Sequence, residues 1–339
     1  MSVGFGIIGA GTWGETHAKA YRAVPGAHLA GVADLDGDRA KKLAAAYGIP
    51  FATDSHAELL EREDVSAVSV ATPDFAHKPL CLAAARAGKH ILVEKPLATT
   101  VADAKEIIAA CESAGVKLMV DFHNRWNPPF HKLKQAVQRG DLGEPQMLYL
   151  RLSDTLFVPT QMLSWAAKSS VAWFLASHTA DLARWLCNAD VKKVYSVSRS
   201  NVLAPQGIDT PDFFMTTLEL TNGAVAVMEN CWILSEASPV IFDFKCEFVG
   251  SKGHVNIDPS HHGMMQQFTE AGAEYPDVMV FPEVFGQHHG FAVASIRHFA
   301  ECVLQDLPPL VTGEDGLKVT EVVCAILESA EKGEPVVLS

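Results

Sequence analysis

The sequence predicts an α/β protein: an N-terminal parallel, doubly wound sheet with helices on both faces, then an α+β domain with an open-faced, mainly antiparallel sheet. Three observations predict it. A glycine turn joins the first strand to the first helix. Strand and helix signals alternate up to about residue 123. Beyond that point strand-like runs follow one another with turn signals between them. At 339 residues the chain is long for one core, so two domains are expected. Their boundaries read as 1–123 and 124–339, with the last helices free to pack back on the first domain.

Val3, Phe5, Ile7 and Ile8 read as a short buried strand that runs into Gly9-x-Gly11-x-x-Gly14. An apolar helical run, Trp13 to Val24, follows at once. In this setting Gly9 permits the tight turn. Gly11 lets the backbone approach a pyrophosphate, and Gly14 lets the helix pack close to the strand. The first helical N–H groups lack partners within the helix and carry partial positive charge, which suits a phosphate. A second strand, His28 to Ala33, ends in Asp34, 20 residues after Gly14. An acid there accepts both ribose hydroxyls of NAD and repels the 2′-phosphate of NADP. NAD is therefore the expected cofactor and NADP the disfavoured one. Thr12 and Trp13 lie in the same turn and join the expected cofactor contacts.

The next elements keep the alternation. Asp38 to Tyr47 reads as a helix stopped by Gly48, and a short strand is expected around Phe51. Ser55 to Arg62 is the next helix, with Ser55 and Glu58 spaced as a capping box. Ser66 to Ala71 is an apolar strand closed by Thr72-Pro73, and His77 to Ala87 is an amphipathic helix ending at Gly88. His90 to Val93 is a strand closed by Glu94-Lys95-Pro96. Thr100 and Asp103 open a helix that runs to Gly115, and Lys117 to Phe122 is the last strand of the series. Ligands of such sheets gather at the carboxyl ends of the strands. Gly9, Asp34, Thr72, Glu94 and Asp121 all follow strands and share one rim.

After residue 123 the pattern changes. Phe130 to Arg139 and Trp173 to Leu186 read as helices, and Met147 to Leu152 alternates like a strand. Strand-like runs follow at Lys193–Ser198, Phe213–Leu220, Ala224–Ile233, Val240–Val249 and His254–Ile257. Thr221-Asn222-Gly223-Ala224 is a hairpin signal. Phe291–Leu304 and Leu317–Glu331 are helical again.

Composition excludes some classes of function. There are 27 basic and 40 acidic residues, a net charge of −13, which argues against nucleic acid and anionic membranes as partners. No apolar run reaches the length of a membrane span. A strand that begins at Val3 leaves no room for a signal peptide, so a cytoplasmic protein is expected. The seven cysteines are scattered without a C-x-x-C pair and read as reduced thiols. His261-His262 and His288-His289 are adjacent pairs. Adjacent residues on a strand point to opposite faces, so no metal site is expected from them.

Two constellations carry chemistry. Lys95 sits at a strand end on the rim, where an ammonium bonds a ribose hydroxyl and a substrate hydroxyl together and favours a developing alkoxide. In the helix Trp173–Leu186, a repeat of 3.6 residues per turn puts Phe174, His178, Asp181 and Trp185 on one narrow face. Leu175, Leu182 and Leu186 form the neighbouring stripe that must pack. His178 with a carboxylate three residues on suits acid–base work or hydroxyl binding.

Taken together these residues resemble the Gfo/Idh/MocA family, the glucose-fructose oxidoreductase and inositol dehydrogenase group, over nearly the whole chain. The likeness rests on the Gly9–Gly14 turn, Ala71-Thr72-Pro73 with His77, and Glu94-Lys95-Pro96 after Gly88-Lys89-His90. It continues through Arg125, Ser177-His178-x-x-Asp181-Leu182 and Thr312-Gly313-Glu314-Asp315-Gly316. The resemblance implies a Rossmann domain, an open-faced sheet domain that mediates dimers or tetramers, and hydride transfer between NAD and a sugar, inositol or related polyol. It implies that Ala71, Thr72, Pro73, His77, Glu94 and Lys95 line the cofactor. It implies that Lys95 touches both the nicotinamide ribose and the substrate and that His178 moves the proton. Arg125 and Asp181 are expected to bind substrate polar groups, Asp181 to act with His178 and Lys95 in catalysis, and Phe174 to close the pocket against an apolar part of the substrate. One departure stands out: many members carry an Asp four residues before the histidine, where this chain has Phe174. Two other activities known in the family, NAD-assisted glycoside cleavage and non-catalytic NAD or sugar sensing, are the alternatives.

Overall fold

A computed structural model describes residues 2–260 and 263–338. In chain order the first elements are β1 (Val3–Ile8), α1 (Thr12–Arg22), β2 (Ala27–Ala33), α2 (Gly37–Tyr47), β3 (Ala52–Thr53), α3 (His56–Leu60) and β4 (Ala67–Val70). Then come α4 (His77–Arg86), β5 (His90–Val93), α5 (Val101–Ala114), β6 (Leu118–Val120), α6 (Pro128–Gln138), β7 (Pro145–Thr155) and α7 (Ser177–Cys187). Strands β8 (Val191–Arg199), β9 (Phe213–Leu220), β10 (Val225–Leu234), β11 (Phe242–Gly250) and β12 (Gly253–Ile257) follow. The chain closes with hairpin strands β13 (Gln267–Thr269), β14 (Gly272–Glu274), β15 (Glu283–Val284) and β16 (Gln287–His288), helices α8 (Phe291–Leu304) and α9 (Gly313–Lys332), and β17 (Val336–Val337). Two compact units result: Met1–Trp126 with Val280–Leu317, and Asn127–Met279 with Lys318–Ser339.

The first unit holds a six-stranded parallel sheet in the order β3-β2-β1-β4-β5-β6. The order reverses between β1 and β4, which opens a crevice at their carboxyl ends. Phe5, Ile7, Val32, Val68, Val70 and Leu92 are fully buried in the sheet. Phe5 stacks on Tyr21 of α1 at 4.4 Å and meets Phe299 of α8 edge-on at 6.4 Å. A helix from the far end of the sequence thus closes one face of the first strand. Gly48 ends α2 at φ +66 and Thr100 accepts from the Asp103 N–H at the start of α5, both as read, and Asp36 supplies the cap of α2. At α3 only half of the expected capping box forms. Ser55 accepts from the Glu58 N–H at 3.4 Å, but the Glu58 carboxylate takes the Thr53 hydroxyl at 2.6 Å.

The second unit holds a seven-stranded sheet in the order β12-β11-β7-β10-β9-β8-β17. Only β7 and β10 pair in parallel; the other neighbours are antiparallel. The β9–β10 turn is the expected hairpin, with Gly223 at φ +88 and the Asn222 side chain accepting from the Ala224 N–H. Alternation along the strands sorts the two faces. Leu148, Leu150, Phe214, Leu218, Ala226 and Met228 are buried. Met147, Tyr195, Met215 and Val225 lie exposed on the opposite face. Arg151 on that face pairs with Glu229 at 3.1 Å and Asp243 at 3.2 Å.

The stretch Trp173–Leu186, expected as one α-helix, is built differently. Residues Ala172–Ala176 form a π-helical turn, and α-helix begins only at Ser177. The Ser177 N–H reaches back to the Ala172 carbonyl, and its hydroxyl donates to the Trp173 carbonyl at 2.8 Å. A π turn advances less per residue than an α turn. Phe174 and His178 therefore do not hold the phase that an α-helical wheel assigns them. A second π turn, Val158–Met162, lies in the connection after β7. No helix among the described residues is long and apolar enough to cross a membrane.

Candidate active site

In the first unit the glycine turn is shaped by contacts that exclude side chains. Gly9 sits at φ +103, and a Cβ there would lie 2.3 Å from the Ala71 carbonyl oxygen. A Cβ on Gly14 would lie 1.9 Å from the Gly9 carbonyl oxygen. Gly11 differs: a Cβ there meets no atom within 4 Å. Packing does not demand that glycine, and the open space it leaves is what a pyrophosphate at the N-terminus of α1 requires.

Asp34 stands beside this turn. One carboxylate oxygen accepts from the Ala10 N–H at 2.7 Å and the other from the Asp36 N–H at 2.9 Å. Those bonds fix the carboxylate at the end of β2 and leave lone pairs for two hydroxyls. Leu35, next to it, is 93% exposed, an apolar platform that the sequence reading missed. At the end of β4 the Thr72 hydroxyl is buried without a hydrogen-bond partner among the described residues. The open slot over Gly11, the anchored acid and the unpartnered hydroxyl fit a dinucleotide.

Three expected cofactor contacts have other partners. The ring nitrogens of His77 lie 2.7 Å from the Pro96 carbonyl and 2.9 Å from the Thr72 carbonyl. The fully buried ring ties the Thr72 loop to the turn after β5. Its burial pushes the imidazole pKa down. Glu94 points inward and accepts from His17 Nε2 at 3.0 Å. Burial acts to raise the Glu94 pKa, but the His17 bond, together with the Lys95 charge, outweighs it and holds it low. The Trp13 ring stacks on His123 at 5.2 Å. Burial drives the His123 pKa down to about 4, so the ring beneath Trp13 is neutral at ordinary pH.

Lys95 itself is buried to within 9% of full enclosure, at the joint where the Lys95–Pro96 peptide is cis. Its charge acts on Glu94 and on Asp121. Arg125, an expected substrate ligand, pairs with Asp315 at 2.9 Å. Burial would raise the Asp315 pKa, but the Arg125 charge and the Thr312 bonds outweigh it and lower the carboxyl. The Thr312 N–H and hydroxyl both donate to Asp315 at 3.0 Å, the start of α9. Arg125 thereby braces the turn after β6 against that helix end.

In the second unit His178 and Asp181 are both buried on α7. Between them the Thr179 hydroxyl donates to Asn230 Oδ1 of β10 at 3.2 Å, with the Ala176 carbonyl at the same distance as its alternative acceptor. Asn230 in turn donates to the Leu152 carbonyl of β7. This chain of bonds pins the first turn of α7 to the centre of the sheet. Phe174 is half-buried, its ring 6.3 Å from Trp165 and 6.4 Å from Trp232. It belongs to an aromatic cluster. His288 lies 3.9 Å from Glu283 within its own hairpin; His261-His262 lies outside the described residues. All seven cysteines are free.

A doubly wound sheet with a glycine turn, an anchored acid after β2 and a lysine at the end of β5 defines a nicotinamide-dependent oxidoreductase. Comparison with known proteins carries this further. Residues 3–122 match the NAD-binding Rossmann-fold domain of the Gfo/Idh/MocA oxidoreductases, and residues 134–338 match their C-terminal alpha/beta domain. The chain belongs to this family. It is 30% identical over 337 residues, 98% of this chain and 95% of the relative, to the scyllo-inositol 2-dehydrogenase (NAD(+)) of Bacillus subtilis. It is 28% identical to the myo-inositol 2-dehydrogenase of Thermotoga maritima, over 92% of this chain and 91% of that one. The crystal structure of GenD2 from gentamicin A biosynthesis, in complex with NAD, matches with a TM-score of 0.88. That match covers 100% of this chain and 97% of that chain at 24% identity, and it bears on the fold alone.

Proposed function

We propose that this protein oxidises or reduces a carbinol carbon of an inositol, a sugar or a related polyol, with NAD as its hydride partner. The observation that carries the reading is Lys95, a largely buried cation at the carboxyl end of β5 in an NAD-binding sheet. The similarity to two inositol dehydrogenases supports the substrate class. When bound, nicotinamide supplies the hydride chemistry. The chain supplies position and charge. Gly9, Gly11, Thr12, Trp13 and Gly14 admit the pyrophosphate, Asp34 takes the adenine ribose, and the strand-end residues Ala71 to Pro73 line the rim. His77 and Glu94 hold that rim from behind. Lys95 donates to a ribose hydroxyl and to the reacting oxygen, where its charge favours an alkoxide. His178 takes or gives the hydroxyl proton, and Asp181 steadies the imidazolium that results. Phe174 offers an apolar wall.

Purified protein with NAD and a panel of inositols and sugars tests this reading. NADH is expected from at least one inositol or sugar. No NADH from any of them, together with cleavage of a chromogenic glycoside, would favour the family's glycoside chemistry. NAD binding with neither reaction would favour a sensor.

A second expected result concerns Asp34. Asp34→Ala should weaken NAD about 10- to 100-fold, the worth of one or two charge-assisted hydrogen bonds. It should also narrow the preference over NADP. Calorimetry that finds wild type binding NADP more tightly would remove Asp34 from this role.

The exposed face of the second sheet supports a further expectation. Met147, Tyr195, Met215 and Val225 are exposed on a face left open by its own unit, where they alternate with the ion pairs Lys193–Glu219 and Arg151–Glu229. We propose a homodimer or homotetramer built on it. Sedimentation at micromolar concentration should show the oligomer, and Met215→Lys should shift it toward monomer. A wild-type monomer would contradict this.

A further inference from the structure

Behind the rim of the first unit lies a group of charges that the proposed reaction does not use. His17 of α1, Glu94 after β5 and Asp121 after β6 each present a polar atom, and these atoms lie within 4.8 Å of one another. All three side chains are buried. Two carboxyl groups so placed cannot both ionise cheaply, since each raises the cost of charging the other. Hydrogen bonding decides which one carries the charge. Glu94 receives the His17 bond at 3.0 Å. His17 Nδ1 meets no partner among the described residues, which suits the tautomer with its proton on Nε2. Neither oxygen of Asp121 has a hydrogen-bond partner among the described residues, so an ionised Asp121 would be poorly stabilised away from water. The Ser295 hydroxyl of α8 lies beside it, but its one proton is also within reach of the Ala292 carbonyl at 3.0 Å.

We propose that Asp121 is a neutral carboxylic acid beneath Lys95, and that its neutrality keeps the Lys95 ammonium on the rim, within reach of the cofactor's ribose. The charge count supports this. With Asp121 neutral, Glu94 and Lys95 balance. An ionised Asp121 adds a second anion on the inner side and draws the ammonium inward. The groups facing this site are Glu94 and Lys95 from the end of β5, His17 and Tyr21 from α1, His123 from the turn after β6, and the Ser295 hydroxyl from α8. The Tyr21 hydroxyl shares a hydrogen bond with the Ser69 hydroxyl at 2.6 Å, and burial keeps it neutral. Burial first, and the Glu94 charge second, set the Asp121 carboxyl well above the ordinary range; Ser295 and Lys95 oppose them without prevailing. Asp121 is a positioning residue: it acts through Lys95.

The proposal rests on the ribose contact assigned to Lys95 above, so its test uses NAD binding and spectroscopy and needs no substrate. Infrared spectra at neutral pH should show a protonated-carboxyl stretch in wild type that Asp121→Asn lacks. Identical spectra would overturn the proposal. NAD affinity, followed from neutral to alkaline pH, should fall about tenfold in wild type as one charged hydrogen bond is lost. It should stay flat in Asp121→Asn, whose amide keeps the neutral shape. Superimposable curves would overturn the positioning role. So would an alkaline loss of the same size in Lys95→Met. If Asp121→Asn fails to fold, carbon-13 labelling of aspartate carboxyls in wild type decides: one buried resonance that stays protonated above neutral pH supports the proposal, and none overturns it. Should no polyol be turned over, the proposed function fails while these readouts still stand.

Discussion

Lys95→Met is expected to reduce kcat for a confirmed substrate by roughly 100- to 1,000-fold or more, the cost of removing one preorganised charge from a developing alkoxide. Methionine nearly matches the length of the lysine stem and deletes only the charge. The fold should survive, because Glu94 keeps its bond from His17 at 3.0 Å and the Pro96 carbonyl keeps its contact with His77 at 2.7 Å. NAD binding should weaken as well, through the lost ribose contact. Turnover measured beside a melting curve separates the two cases. An unchanged melt with unchanged turnover would remove Lys95 from the chemistry.

His178→Ala should lower kcat by about 100- to 10,000-fold, the usual range for a lost general acid or base. KM should move less, since the proton is transferred only in the transition state. Asp181→Asn should cost a substantial part of the same factor. The family's frequent acid is absent: Phe174 stands there, turned into a cluster with Trp165 and Trp232. Asp181, one turn further along α7, is the carboxylate proposed to steady the imidazolium. Phe174→Asp should therefore change substrate preference more than it restores rate. A loss of only a few-fold in His178→Ala would mean that the proton moves through Lys95 or water.

Much of the first unit was legible because its signals are local. The glycine turn, the helix stop at Gly48 and the cap at Thr100 each act within a few residues, and the Asp34 spacing spans one strand–helix–strand unit; the structure keeps all four. The π turn at Ala172–Ala176 was not legible. Its apolar positions still repeat at nearly α-helical spacing, so the sequence shows no break where the winding changes. The packing of Phe299 against Phe5 joins residues nearly 300 positions apart and leaves no periodic trace. His17 went unmarked, and Asp121, expected on the rim, has its carboxyl buried behind it. His17 sits in an apolar helix one turn from the buried Tyr21, and Asp121 ends an apolar strand. A charged residue in either place is a signal that a sequence reader can use, since burial without a partner is costly. Arg125, expected at the substrate from the family resemblance, also pairs with Asp315, in a segment that no local pattern ties to it.

The most direct test of hydride transfer uses an inositol, or whichever polyol proves active, with deuterium on its carbinol carbons. The protein, NAD and the labelled substrate are mixed, and the recovered cofactor is read by NMR. Deuterium on the nicotinamide ring, with a ketone formed on the substrate, is the expected result. Substrate turnover with every deuterium retained on the sugar and no label in the cofactor would contradict it.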